Sequence, residues 1–146
     1  MTSKDYFFDT SALFKRYVEE KGSETVNNIF AQSAGRYISS LGLVEVVSNL
    51  RRLVDVDNIL NEEEFSFVKG TFFDDIKSGT IEVIEVTTPN ILTSLSLCSE
   101  TYITPIDSIQ LAVVLQAPEE LIFVCSDTKL LSLAEKKGLN TINPEQ

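Results

Sequence analysis

The chain has 146 residues, 43% hydrophobic and 23% charged, which suits one domain (residues 1–146) that buries its own core without disulfide or structural metal. Its formal charge is −10 and it contains no histidine, which excludes histidine-based triads, imidazole acid–base pairs and histidine-ligated zinc. Chemistry must rest on carboxylates, hydroxyls, lysines or a bound metal.

The acidity is uneven. Between Asp55 and Glu85 nine acids face only Lys69 and Lys77, whereas the remainder holds thirteen acids and ten bases. Acidic surface opposes polyanion binding, but outside this middle segment the balance is close to neutral, so nucleic acid stays open as a partner. No apolar run approaches the ~20 residues of a bilayer span. Lys4, Asp5 and Asp9 interrupt the opening residues where a secretory signal needs its apolar region. The expectation is a cytoplasmic protein with no membrane partner. Cys98 and Cys125, both among apolar neighbours, are expected to be small core residues in reducing surroundings.

In chain order, Lys4 to Asp9 reads as a short buried strand, followed by a helix from Ser11 to Glu20 that Gly22 closes. Ser23 opens a second helix with Val26, Ile29 and Phe30 facing inward, and Gly35 ends it. Tyr37 to Ser40 is a second strand leading into a helix from Leu43 to Val54, whose Leu43, Val46, Val47, Leu50 and Val54 form an apolar stripe. Asn61 opens a helix running to Lys77, with three glutamates in its positive first turn, and Gly79 stops it.

Thr80 to Val86 alternates apolar and acidic residues, the pattern of a strand at or near a sheet edge. Pro89 then starts a helix carrying Ile91, Leu92, Leu95 and Leu97. Thr104, Pro105 and Asp107 open another that is apolar nearly all round and is therefore expected to be deeply buried. Leu121 to Val124 is an apolar strand, Asp127 begins a helix ended by Gly138, and Asn140 to Ile142 is a last strand. This alternation predicts an α/β domain with a mainly parallel sheet of about four to five strands flanked by helices.

In such a sheet the functional crevice lies outside the carboxyl ends of the strands. Asp9 and Asp127 each follow a strand directly, and Glu45 and Asp107 are placed in the first turns of helices that can face the same edge. Each acid also has an ordinary structural explanation. Asp127 can cap its helix, Thr104 with Asp107 matches a capping box with aspartate in place of glutamate, and Glu45 can pair with Arg52 or Asn49. Asp9 is hardest to explain so, because a carboxylate at the end of an apolar strand is costly to bury without a partner. Four carboxylates meeting at one edge repel unless a cation sits between them, and oxygen-only ligation selects a hard ion, Mg2+ or Mn2+.

The segments YFFDTSALFKRYVEEKGS, ISSLGLVEVVSNLRR, PIDSIQLAVVL and FVCSDTKLLSLAEKKGLNTINP resemble, in order, the four motifs of PIN-domain proteins, in the style of VapC-type toxin ribonucleases. The resemblance implies a PIN-like α/β/α sandwich and a Mg2+- or Mn2+-dependent endoribonuclease hydrolysing RNA. It assigns catalysis and metal ligation to Asp9, Glu45, Asp107 and Asp127, with Ser11, or else Thr10, as the hydroxyl that positions a ligand or phosphate. It also implies an antitoxin protein and a homodimer as partners. Gln110 departs from it, standing where many relatives carry histidine.

Lys15, Arg16, Arg51, Arg52 and Lys129 are the candidate bases for holding an RNA backbone, although a solvated role suits each. The alternatives are a PIN-like RNA-processing nuclease without an antitoxin, and a non-catalytic metal- or partner-binding module. An aspartyl-phosphate enzyme with Asp9 as nucleophile is a further rival, but Ser11 occupies the place of the second aspartate that such enzymes use.

Overall fold

The computed structural model describes residues 4–146. Five strands, β1 (Asp5–Phe8), β2 (Gly35–Ser39), β3 (Glu82–Ile84), β4 (Leu121–Val124) and β5 (Thr141–Ile142), form one parallel sheet in the order β3-β2-β1-β4-β5. Between them run α1 (Thr10–Tyr17), α2 (Ser23–Gln32), α3 (Ser40–Asp55), α4 (Glu62–Lys77), α5 (Thr88–Glu100), α6 (Pro105–Gln116) and α7 (Thr128–Lys136). The element order and the parallel sheet are those expected from the periodicities, in a PIN-like α/β/α sandwich.

Successive strand residues point to opposite faces, and the two phenylalanines of β1 show the result. Phe7 joins Phe123 and the buried residues of α5, α6 and α7 in one core. Phe8 joins Val124, Ile38 and the buried residues of α1 to α4 in the other. The apolar stripe of α3 supplies Val46 and Leu50 to that second core, and α4 supplies Phe65 and Phe72. Polar ties brace the same layer: Tyr17 Oη donates to Asp75 at 2.6 Å, and the Arg36 guanidinium donates to the carbonyls of Phe30, Ser33 and Thr80.

Several boundaries differ from expectation, each for a local reason. The first helix stops at Tyr17, because Val18 adopts extended backbone and donates its N–H back to Phe14 O. Gly22 therefore does not close that helix; it precedes α2 in the left-handed region at φ 93°. Gly35 opens β2 rather than ending α2, which ends at Gln32. The third helix begins at Ser40, ahead of Leu43, because the Ser39 hydroxyl accepts from Gly42 N and caps it. The alternating segment contributes only Glu82–Ile84, at the sheet edge as expected. Cys125 lies in the core, but Cys98 is exposed on α5 and is not a core residue.

Candidate active site

β1 is the central strand, and the chain leaves it for β2 and β3 on one side before returning to β4 and β5 on the other. The carboxyl ends of β1 and β4 therefore flank the switch point where open parallel sheets form their crevice. Asp9 sits at that point. Its N–H donates to Val124 O at 2.9 Å, extending the ladder by one bond, and its carbonyl accepts from Ala12 and Leu13, starting α1.

The Asp9 side chain makes no helix cap. It accepts instead from Ser11 Oγ at 2.7 Å, and Cys125 Sγ lies 3.7 Å from the same Oδ2. Asp9 is only 6% exposed. Burial pushes its pKa up to about 6; the Ser11 hydrogen bond opposes the rise, and the charges of Asp107 and Glu45 add to it. The Cys125 thiol is also pushed up, first by burial and then by Asp9. None of the four candidate acids takes part in a salt bridge among the described residues.

Glu45 projects from the second turn of α3 rather than the first, since Ser39 starts that helix early. Its partner is neither Arg52 nor Asn49. Thr10 Oγ1 donates to Glu45 Oε1 at 2.7 Å, and Gln110 Nε2 donates to the same oxygen at 3.2 Å. Both hydroxyls after Asp9 are thus engaged, Ser11 with Asp9 and Thr10 with Glu45. Sequence reasoning set Gln110 aside as a mere departure from pattern. An amide inside the apolar run of α6 was the available signal, because a buried amide needs partners.

Asp107, in the first turn of α6, is half-buried, and its N–H donates to Thr104 Oγ1 at 3.3 Å. Burial raises its pKa, Thr104 lowers it, and the charge of Asp127 raises it again. Asp127 caps α7, its Oδ1 accepting from Lys129 N at 2.9 Å and Leu130 N at 3.2 Å. Asp107 and Asp127 line one small recess of about 190 Å³ with Tyr102, Thr104 and Lys129. A larger groove, about 830 Å³ between α3 and α4, is lined by Leu43, Val47, Phe65 and Phe73 and holds none of these acids.

The four acids thus influence one another along one edge, but they are not gathered into a closed set. Among the described residues, no three acidic or cysteine side chains converge closely enough to hold a metal ion. The reasons are physical. Asp127 is committed to α7 and one oxygen of Glu45 to Thr10 and Gln110. In donor chemistry the set fits a hard divalent cation: every candidate ligand is an oxygen, and Asp9 is buried with only acids for charged neighbours.

The candidate bases fare unequally. Lys15 is buried and clamped by Glu20 at 3.0 Å and Glu145 at 2.9 Å, so it is a structural ion pair. Arg16 pairs with Asp75, Arg51 with Asp55 and Glu62, and exposed Arg52 lies 3.8 Å from Asp57. Lys129 stands at the recess itself, its ammonium 5.3 Å from the Tyr102 ring centre. No helix among the described residues is long and apolar enough to cross a membrane.

No protein-family model and no curated protein sequence matches the chain. Solved structures do. A chain of a toxin–antitoxin complex from Klebsiella pneumoniae is 16% identical, with 96% of this chain and 98% of that one covered and a TM-score of 0.68. For FitAcB from Neisseria gonorrhoeae the values are 15%, 95%, 97% and 0.73. For DNA-bound VapBC from Salmonella typhimurium they are 16%, 97%, 98% and 0.66. The chain shares, over nearly its whole length, the fold of these three solved chains.

Proposed function

We propose that the protein is a metal-dependent endoribonuclease that hydrolyses RNA phosphodiester bonds, and that it is the toxin of a toxin–antitoxin pair. The observation that carries this reading is Asp9: a carboxyl 6% exposed, at the sheet's switch point, surrounded by acids. Such a charge is stabilised by a cation supplied from outside. On this reading Asp9, Glu45, Asp107 and Asp127 hold Mg2+ or Mn2+. A bound ion would supply Lewis acidity, to activate water and offset charge on the attacked phosphoryl group.

The chain's own residues do the rest. Ser11 fixes Asp9 Oδ2, Thr10 and Gln110 fix Glu45 Oε1, and Asp127 holds the mouth of α7 in place. Lys129, at the recess, is the base best placed to meet a backbone phosphate. The solved neighbour from Klebsiella pneumoniae, named as a toxin–antitoxin complex, supports an antitoxin as partner. The exposed Leu92, Leu95 and Tyr102, with no charged residue between Val86 and Ser99, are compatible with a homodimer.

The test is to incubate the purified protein with structured and unstructured RNAs in Mg2+, Mn2+ or EDTA, beside Asp9→Asn. Cleavage that needs the metal and is lost in Asp9→Asn supports the reading. Equal cleavage by wild type and Asp9→Asn overturns the site. No cleavage under any metal favours the non-catalytic binding module, which the separated arrangement of the acids makes the second reading.

A further inference from the structure

We propose that Gln110 is a positioning residue that aims Glu45 at the metal, an inference that rests on the proposed function. Gln110 is fully buried on α6, and both polar atoms of its amide are partnered. Ser39 Oγ donates to Gln110 Oε1 at 2.6 Å. The same hydroxyl accepts from Gly42 N at 3.2 Å, which leaves its proton for the glutamine. An amide whose oxygen is occupied by a hydroxyl donor must turn its nitrogen the other way. That nitrogen lies 3.2 Å from Glu45 Oε1 and 3.3 Å from Thr10 Oγ1.

The chain of donors therefore has one direction. It runs from the first turn of α3 through Ser39 and Gln110 to Glu45, with Thr10 adding a second donor to Oε1 at 2.7 Å. Oε1 thus receives two hydrogen bonds, whereas Oε2 accepts none from the described residues. The network distinguishes the two oxygens of one carboxylate. It leaves Oε2 as the oxygen that would be offered to a cation and keeps Glu45 from swinging to solvent or to a nearby base. A methionine would fill the same volume in the core, so packing alone does not require the amide.

The test uses Gln110→Met, Thr10→Val, Thr10→Ser and Glu45→Gln, with Mn2+ binding measured by calorimetry or paramagnetic resonance and thermal unfolding measured in EDTA. Gln110→Met and Thr10→Val are expected to bind Mn2+ about 10-fold or more weakly. Thr10→Ser, which keeps the hydroxyl, should retain wild-type affinity. Should Gln110→Met fail to fold, Ser39→Ala decides the question: it removes the donor that orients the amide and should weaken Mn2+ binding, whereas wild-type affinity overturns the inference. Wild-type Mn2+ affinity in Gln110→Met and Thr10→Val, with Glu45→Gln weakened, overturns the inference and leaves the metal site standing. Unchanged affinity in Glu45→Gln also overturns it, because Glu45 is then no ligand. A wild-type protein that takes up no Mn2+ overturns the inference together with the proposed metal site.

Discussion

Replacing Asp9 with asparagine should make the metal-free protein more stable while abolishing its activity. A carboxyl moved from its ordinary 3.8 to about 6 carries an ionisation penalty of about 3 kcal/mol above pH 6. Asparagine is nearly isosteric, keeps an oxygen for the Ser11 hydroxyl, and cannot ionise. Allowing for relaxation around the charge, Asp9→Asn should gain about 1–3 kcal/mol at pH 8. At roughly 2–4 °C per kcal/mol for a chain of this size, Tm should rise by several degrees. The sign follows from the raised pKa. The penalty is fully present above pH 6 and is relieved as pH falls toward 3.8, because the folded state then binds a proton that the unfolded state takes up only later. Thermal unfolding of both proteins in EDTA, from pH 8 to pH 4, checks this: the advantage of Asp9→Asn should shrink with acidification. Mg2+ or Mn2+ should raise the Tm of the wild type alone. An asparagine variant less stable than wild type at pH 8, or a difference that does not change with pH, would refute the reasoning.

Other consequences are equally open to measurement. Asp127→Asn should keep the cap on α7 and nearly all stability but lose metal affinity, whereas Asp127→Ala should lose metal affinity and about 1 kcal/mol as well, measured by denaturant unfolding. Lys15→Met should cost about 1–3 kcal/mol, less than for a fully buried pair because Glu20 and Glu145 are each about a third exposed; RNA cleavage at saturating metal should be unchanged. A thiol probe should label exposed Cys98 quickly and Cys125 only on unfolding, since Cys125 is buried with its thiol pKa pushed up; mass spectrometry of the labelled peptides distinguishes the two.

The strands and helices were legible because their signals are local. Alternation marks Thr80 to Val86, and a 3.6-residue stripe marks the third helix. The misplaced boundaries fall where a backbone choice has no strong residue signature. Val18 turning extended is one, and Ser39 capping α3 four residues before its apolar stripe begins is another. Asp9 was legible as a candidate because it stands at the end of an apolar strand, where a buried acid is hard to explain. The hydrogen-bond network around Glu45 was not. Ser39, Thr10 and Gln110 each belong to a different stretch of chain, and only the sheet order β2-β1-β4 with α6 packed beneath brings them together. A hydroxyl or amide in sequence announces a need for hydrogen bonds without saying where they go.

The allocation of positive charge explains why the edge is incomplete by itself. Lys15, Arg16, Arg51 and Lys137 are committed to carboxylates elsewhere and Arg36 to backbone carbonyls, while Lys129 stands at the recess of Asp107 and Asp127. None of them reaches Asp9, although a single lysine beside it would have held its carboxyl in the ordinary range. Such a lysine would also have filled the space where a cation could enter and would have lowered the field that attracts one. An unpaired buried acid in a net charge of −10 makes sense if its stability cost is offset only on ligand binding. Under the proposed function, the same positive charge that relieves Asp9 is then the one an RNA phosphate meets, which is how an acidic chain can accept a polyanion at one edge and repel it elsewhere.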